Sequence, residues 1–225
     1  MAASLIVSYD GTPNDDDALA LGKMLSPAGF GLVLAYVRHF REFDQRREEL
    51  AQHDAEQRLE RGAALLGDSQ IKREVVFGAS TGEGLEQLAK SEGAAAILFG
   101  SDYRTAPGHV EPGTSARNLL DGGSVAVGMA VAGLRTKLNQ EEIKSIAVPV
   151  AGPLNDVARQ SAAALADLLG ATVVESVMGA VDLIVVGSKP EAPAGRVLVG
   201  GEVRSELDSA RGSVLVLPAK TPLLP

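Results

Sequence analysis

Two short glycine-containing stretches bracket a loop that could bind an anion. Gly100 ends an apolar run, and Gly113, Thr114 and Ser115 open a short helical pattern further along the chain. Glycine lets backbone N–H groups approach a ligand because no Cβ stands in the way. Hydroxyl groups at a helix N-terminus lie where free N–H groups and the helix dipole favour negative charge. The pattern therefore predicts an anion site, most often for phosphate; the alternative is a surface loop with turn glycines.

A second group of candidate residues follows the first apolar run of the chain. Asp10 ends the strand pattern at residues 4–10, and Gly11 and Thr12 complete a turn before a helical pattern. In a parallel α/β sheet, ligands bind at the carboxyl ends of the strands, where the strand order reverses. We therefore expect Asp10 to lie near Gly100 and Gly113. The alternative for Asp10 is an Asx-turn at a strand end.

Strand and helix patterns alternate along the first part of the chain. Strand patterns occupy residues 4–10, 31–37, 73–78, 94–100 and 124–131, and helix patterns occupy 14–25, 41–66, 82–93 and 114–120. Such alternation indicates βαβ units and a parallel sheet. Aromatic residues make up only 4% of the chain, so the core must be aliphatic, as suits strands buried on both faces. We expect an α/β domain over residues 1–131, with strand order 3-2-1-4-5.

The chain repeats itself after a polar linker predicted at residues 132–142. Residues 143–171 mimic the opening of the chain, and residues 197–218 mimic the Gly113 helix and the strand after it. The second copy, 143–225, lacks a block the size of a helix–strand–helix unit, so we expect a truncated sheet of order 2-1-4-5. Residues 172–177 form a shortened strand, a helix remnant or an antiparallel strand, because their connection to the next strand is too short for an ordinary parallel crossover.

Composition excludes several classes of function. The formal net charge of −8 argues against a general nucleic-acid grip and against binding to anionic membranes. The absence of cysteine excludes disulfides, thiolate catalysis and cysteine-based zinc sites. No apolar run approaches the roughly 18 residues that a membrane span needs. We expect a cytoplasmic protein with no nucleic-acid or membrane partner.

Three features make the chain resemble a tandem universal stress protein with a shortened second domain. They are the opening VSYDGTPND, the strand AILFGS and the loop spacing from Gly100 to Gly113. In nucleotide-binding members this loop runs Gly, two residues, Gly, nine residues, Gly-Ser/Thr, and here Tyr103 replaces the second glycine while the spacing is kept. The resemblance implies a flavodoxin-like, adenine-nucleotide alpha-hydrolase-like fold, with a five-stranded parallel sheet followed by a truncated second copy.

The resemblance also implies an adenine-nucleotide site in the first lobe, for ATP or AMP, with Mg²⁺ accompanying ATP. Asp10 would contact the adenosine part, and the backbone of Val37 would lie against the base. The phenol of Tyr103 could either fill the phosphate space or swing outward. The implied site consists of Asp10, Gly11, Thr12, Val37, Gly100, Tyr103, Gly113, Thr114 and Ser115.

Several residues depart from the pattern of the nucleotide-binding members. The acids at 15–17 lie near the rim of the implied site and add repulsion unless a cation intervenes. In the second lobe, Ala151 occupies the position of Asp10. Pro190 occupies the position of Tyr103 and has no N–H to donate, and Gly201 occupies the position of Thr114 and lacks a hydroxyl. We expect the second lobe to be a structural partner without nucleotide.

Three functional hypotheses follow from these residues. The first is a stress-response or regulatory protein that binds an adenine nucleotide without dedicated catalysis. The second is an interaction scaffold with degenerate sites. The third is a slow ATPase, although no Walker lysine, general base or metal-ligand set is identifiable. The resemblance also implies antiparallel pairing of the last strands of the two lobes into an intramolecular pseudo-dimer, and the sequence leaves a homodimer open.

Overall fold

The computed structural model describes residues 3–138, 142–149, 156–174 and 181–224, apart from the side chains at 202, 203 and 206. Its strands are β1 (Ser4–Ser8), β2 (Gly31–Arg38), β3 (Lys72–Phe77), β4 (Ala96–Gly100), β5 (Ala126–Ala130), β6 (Ser145–Ala147), β7 (Thr172–Val174), β8 (Leu183–Gly187) and β9 (Ser213–Leu217). Its α-helices are α1 (Pro13–Leu25), α2 (Gln45–Leu66), α3 (Thr81–Glu92), α4 (Thr114–Leu120), α5 (Asp156–Leu169) and α6 (Gly201–Ser209).

Local capping groups fix where the long helices begin and end. Thr12 and Asp15 form a capping box at the start of α1, with Pro13 at the first helical position. Helix α2 begins later than the predicted residue 41, because the Asp44 side chain accepts the Arg47 N–H at 3.0 Å and caps the helix there. Gly67 ends α2 in the left-handed conformation, with φ 72°.

One sheet of nine strands runs through the described chain, in the order β3-β2-β1-β4-β5-β9-β8-β6-β7. The family resemblance implies antiparallel pairing between the last strands of the two lobes, and in the structure β5 is not an edge strand. It pairs antiparallel with β9, with Val127 opposite Val216 and Met129 opposite Val214. The other strand pairs are parallel. The α/β class and the dominance of parallel pairing are confirmed.

Helices cover both faces of this sheet with aliphatic side chains. Helices α1, α2 and α5 pack on one face, and α3, α4 and α6 pack on the other. Examples of their fully buried or nearly buried side chains are Leu21, Leu59 and Leu165 on the first face, and Leu85, Leu119 and Leu207 on the second. Both faces are therefore dry, as parallel sheets require.

Strand β7 resolves the alternatives for the segment predicted at 172–177. It is a three-residue strand that pairs parallel with β6, with Thr172 opposite Ser145 and Val174 opposite Ala147. In its described part this segment is a parallel strand, and neither a helix remnant nor antiparallel. Residues 175–180 lie outside the described part of the chain.

The segment predicted as a polar linker is packed over its first part. Residues Leu134–Lys137 form a 3-10 helix, and Ala132 and Leu134 are buried. A carboxylate on α1 holds this turn in place: Asp17, fully buried, accepts the Gly133 N–H at 2.9 Å, the Arg135 N–H at 2.7 Å and the Arg135 guanidinium at 2.9 Å. Such bonds offset the cost of burying the charge. Asp17 is thus buried and not at the rim of the site, and the Arg135 guanidinium is the cation that offsets its charge.

Candidate functional site

The turn after β1 directs its backbone donors at a carboxylate of the chain itself. Gly11 takes the left-handed conformation, with φ 84°, which explains why glycine is required there. The Asp15 Oδ2 atom accepts the Asp10 N–H at 3.0 Å, the Thr12 N–H at 2.9 Å and the Thr12 hydroxyl at 2.7 Å. An external anion at this turn would have to displace the Asp15 carboxylate.

Asp10 is solvent-exposed at the end of β1, beside two cationic or potentially cationic side chains. Partial burial of the carboxylate raises the pKa of Asp10, while Arg58 and His39 act in the opposite direction. Arg58 also donates to the Asp10 carbonyl oxygen at 3.3 Å, which ties α2 to this turn. Burial likewise raises the pKa of Asp15, the Thr12 hydrogen bonds lower it, and the neighbouring Asp10 charge adds to the increase.

A shallow depression of about 210 Å³ opens at the carboxyl end of β2. Val37, expected to contact a base, is buried and lies in its lining together with His39, Phe40, Asp54 and Arg58. Arg58 is the residue that reaches the Asp10 carbonyl oxygen, so the depression adjoins the β1 turn. The structure thus brings Val37 and Asp10 to one rim.

Gly100 is a glycine because the first turn of α1 passes directly over it. A Cβ at Gly100 would overlap the carbonyl oxygen of Asn14. The Asn14 side chain fixes this approach by donating to the Ser101 carbonyl oxygen at 2.6 Å. The glycine therefore has a packing role, independent of any ligand.

The loop after Gly100 closes on itself and keeps its tyrosine outside. Ser101 and Pro112 form an antiparallel bridge, and the Asp102 N–H donates to the Glu111 carbonyl oxygen at 2.8 Å. Tyr103 is 74% exposed, and its hydroxyl accepts from the Arg104 side chain at 2.6 Å. Of the two alternatives for Tyr103, the structure has the outward one.

Gly113 is the N-cap residue of α4, and the space around it is open. A Cβ at Gly113 would have no heavy atom within 4 Å, in contrast to Gly100. Thr114 is exposed and Ser115 is partly exposed. The Ser101–Pro112 bridge brings this helix start next to the end of β4. The candidate residues other than the outward Tyr103 therefore gather at the carboxyl ends of three neighbouring strands, β2, β1 and β4.

Sequence reasoning did not find two residues that shape this site. Asn14 begins the helix pattern at residues 14–25, but Thr12 caps the helix, and the Asn14 side chain donates to the Ser101 carbonyl oxygen. Arg58 lies on a long charged helix, and only the folded chain reveals that it meets Asp10. The sequence signal for Asp15 was its acidic position in the first turn, but not its contact with the Asp10 N–H.

The second lobe reproduces the hydrogen bonds of the Gly100 loop. The Ser101 hydroxyl donates to the Ala130 carbonyl oxygen at 2.7 Å, and the Ser188 hydroxyl donates to the Leu217 carbonyl oxygen at 2.7 Å. Likewise, the Gly108 N–H donates to the Ala132 carbonyl oxygen at 2.9 Å, and the Gly195 N–H donates to the Ala219 carbonyl oxygen at 2.8 Å. Ala151, which matches Asp10 in the sequence, lies outside the described residues.

Two further properties concern the described residues only. Residues 3–138, 142–149, 156–174 and 181–224 contain no group of three or more His, Asp or Glu side chains that could hold a metal ion. In these same ranges, no helix is both long and apolar enough to cross a membrane.

Sequence comparison finds no relative, and structural comparison finds several. No protein-family model matches the chain, and no curated protein matches it. A crystal structure of a universal stress protein from Archaeoglobus fulgidus superposes with a TM-score of 0.68 at 15% identity, covering 96% of this chain and 98% of that one. The chain has the fold of the universal stress proteins.

Two structures from Pseudomonas aeruginosa extend this comparison. A putative universal stress protein gives a TM-score of 0.58 at 14% identity, covering 96% of this chain and 93% of that one. A protein described as functionally unknown gives 0.55 at 14% identity, covering 97% and 93%. The universal-stress-protein fold thus extends over nearly the whole chain, while identities this low speak for the fold alone.

The two loop glycines give a matched test of the packing argument. Gly100→Ala should lower the free energy of unfolding by about 1–3 kcal/mol, because its methyl group overlaps the Asn14 carbonyl oxygen. Gly113→Ala should cost less than about 1 kcal/mol, the effect of a poorer N-cap in open space. Urea unfolding of both variants measures the difference. Equal costs would contradict the assigned role of Gly100.

The raised pKa of Asp10 predicts a pH-dependent stability effect. The folded state holds the Asp10 proton to higher pH than the unfolded chain does, so this contribution to stability falls as pH rises through that window. Asp10→Asn should therefore be at least as stable as the wild type at pH 7. The two proteins should converge below about pH 4, near the unfolded pKa.

Thermal unfolding at a series of pH values measures this effect. The matched control is Asp68→Asn, at an exposed position just beyond the end of α2. An Asp10→Asn variant that is less stable than the wild type at pH 7 would show that its charge is favourable in the fold.

Proposed function

We propose that the chain is a regulatory protein of the universal-stress-protein type that binds an adenine nucleotide in its first lobe and has no dedicated catalytic site. The observation that supports this most is the gathering of Asp10, Val37, Gly100 and Gly113 at the ends of adjacent strands, at the switch point between β1 and β4. The outward position of Tyr103 supports it as well. The proposed location is the cytoplasm.

The proposed binding mode follows the charges of the site. The base would enter the depression beside Val37, and the Asp10 carboxylate would accept from ribose hydroxyls. The phosphate would face the open start of α4, at Thr114 and Ser115. The Asp15 carboxylate already takes the donors of the β1 turn, so AMP should bind better than ATP unless Mg²⁺ accompanies the triphosphate.

We also propose a tandem organisation, with a full domain at 1–131, a linker at 132–142 and a truncated copy at 143–225. The repeated hydrogen bonds of the two glycine loops support it. Each donor and each acceptor in the second lobe lies as many residues after its counterpart as Ser188 lies after Ser101. In this arrangement the antiparallel β5–β9 pair joins the two copies as an intramolecular pseudo-dimer.

An interaction scaffold is the second candidate function. It is favoured by the exposed aromatic side chains of the loop after β2, where Phe40 is 69% exposed and Phe43 is fully exposed. In this case the degenerate sites would serve only the fold. Substitutions in the glycine loop, residues 100–115, would then leave partner binding unchanged.

Isothermal titration calorimetry tests the nucleotide proposal. We expect heat of binding with AMP, and with ATP in the presence of Mg²⁺. Asp10→Ala should weaken binding by about tenfold or more, because a charge-assisted hydrogen bond is lost. Asp68→Ala, the same change at a distant exposed position, should bind as the wild type does.

Two results would overturn the nucleotide proposal. One is the absence of heat at millimolar concentrations of every adenine nucleotide. The other is equal binding by the Asp10→Ala and wild-type proteins. Absorbance at 260 nm from a molecule that copurifies with the protein would support it further.

A further inference from the structure

A small pocket lies at the carboxyl ends of β8 and β9, away from the proposed nucleotide site. Its volume is about 190 Å³, and its lining includes Ser188, Lys189, Lys220 and Asp156. We call it the Lys189 pocket. At about 30 Å³ per water molecule it has room for roughly six waters, which is too small for a nucleotide and large enough for a phosphate group.

In the first lobe, a residue equivalent to one of this lining contacts a buried carboxylate. Ile6 pairs with Ile97 in the first lobe, and Ala147 pairs with Ile184 in the second. Counting from these pairs along each chain segment, Asp17 corresponds to Ala158. The buried carboxylate that accepts three hydrogen bonds in the first lobe is thus replaced by a methyl group.

Two residues that line the pocket differ in charge from their counterparts in the first lobe. Gly133, which donates its N–H to Asp17, corresponds to Lys220, since both stand three residues beyond the last strand of their lobe. Asp102, which follows Ser101, corresponds to Lys189, which follows Ser188. The pocket lining therefore has lysines where the first lobe has Asp102 and Gly133. The ion pair of Asp17 with Arg135 is absent from the second lobe, where Pro222 stands at the position of Arg135.

The charges at the pocket lack internal compensation. Among the described residues, neither Lys189 nor Lys220 has a carboxylate within ion-pair distance. The Asp156 carboxylate, which also lines the pocket, pairs with Arg159 at 3.2 Å. Lys220 further adopts a left-handed backbone, with φ 59°, where Gly133 has φ 91°. A lysine kept in a conformation that suits glycine is consistent with a role for its side chain.

We propose that the Lys189 pocket binds a phosphate group, either as free inorganic phosphate or as a phosphate monoester. Lys189 and Lys220 supply the charge-assisted hydrogen bonds. This site is separate from the first-lobe nucleotide site and does not depend on it.

Calorimetric titration of the full chain with inorganic phosphate, at low ionic strength, tests the proposal. We expect saturable binding that Lys189→Gln weakens by about tenfold or more. The matched control is Lys144→Gln, which removes the same charge from the same lobe at the opposite end of β6. No binding at 10 mM phosphate, or equal weakening by the control, would overturn the proposal.

Lys220→Gly provides a variant whose effect on folding is expected to be favourable. Glycine relieves the left-handed backbone, so the melting temperature should rise while phosphate binding weakens. Unchanged phosphate affinity in this variant would overturn the proposal.

Separate titrations distinguish the two sites and the two sources of phosphate. Inorganic phosphate and ribose 5-phosphate are added to the wild-type protein and to Asp10→Ala. Phosphate binding that survives Asp10→Ala supports the Lys189 pocket even if no adenine nucleotide binds. Phosphate binding that is lost in Asp10→Ala would place the anion in the first lobe and overturn the proposal.

Discussion

The antiparallel pairing of β5 with β9 holds nine strands in a single sheet. A strand at a sheet edge presents unpaired backbone groups, and each of these two strands would be such an edge without the other. Val127, Leu215 and Val216 are all buried at this junction. On the other side of β5, Gly128 leaves room for Leu98 of β4, because a Cβ there would overlap a methyl group of that leucine. The short second lobe depends on this pairing, since two of its other strands, β6 and β7, have only three described residues each, and β8 has five.

The direction of this pairing also places the candidate sites. Strands β1 to β5 run parallel to one another, and β6 to β9 run in the opposite sense. The carboxyl ends of the first five strands therefore lie at one end of the strands' long axis, and those of the other four lie at the opposite end. The site around Asp10 and the Lys189 pocket face away from each other, so each can be altered without direct contact with the other. The repeated glycine loops allow the two sites to be compared residue by residue. They differ at the positions of Asp17 and Gly133, which are Ala158 and Lys220 in the second lobe.

Much of the fold was predictable because aliphatic strand patterns and helix starts are local signals. The bounds of α4 agree with the pattern at residues 114–120, and β2 and β3 differ from theirs by single residues. The start of α2 was missed because the Asp44 cap competes with equally polar residues before it. The Asp17 network was missed because its partners lie more than a hundred residues away in the chain. The nine-stranded sheet depends on which edge strands meet, which the family resemblance implied and local patterns do not encode.

The sequence predicted that the candidate residues lie at the carboxyl ends of neighbouring strands, but it did not predict the contacts that they make. Loop spacing identified Gly100 and Gly113, but only the folded chain distinguishes a glycine that packs against Asn14 from one in open space. The orientation of the Asp15 carboxylate is fixed by the hydrogen bonds that it accepts from the N–H groups of Asp10 and Thr12. Such contacts decide which part of a ligand a loop can accept.

Native-state hydrogen exchange of the full chain, read by mass spectrometry, tests the role of the β5–β9 junction most directly. If this pairing holds the sheet together, amides of β5 and β9 should exchange only through global unfolding, as slowly as those of β1 and β4. Exchange of β9, β8 and β6 through a partial opening that leaves β1 to β5 protected would contradict the account.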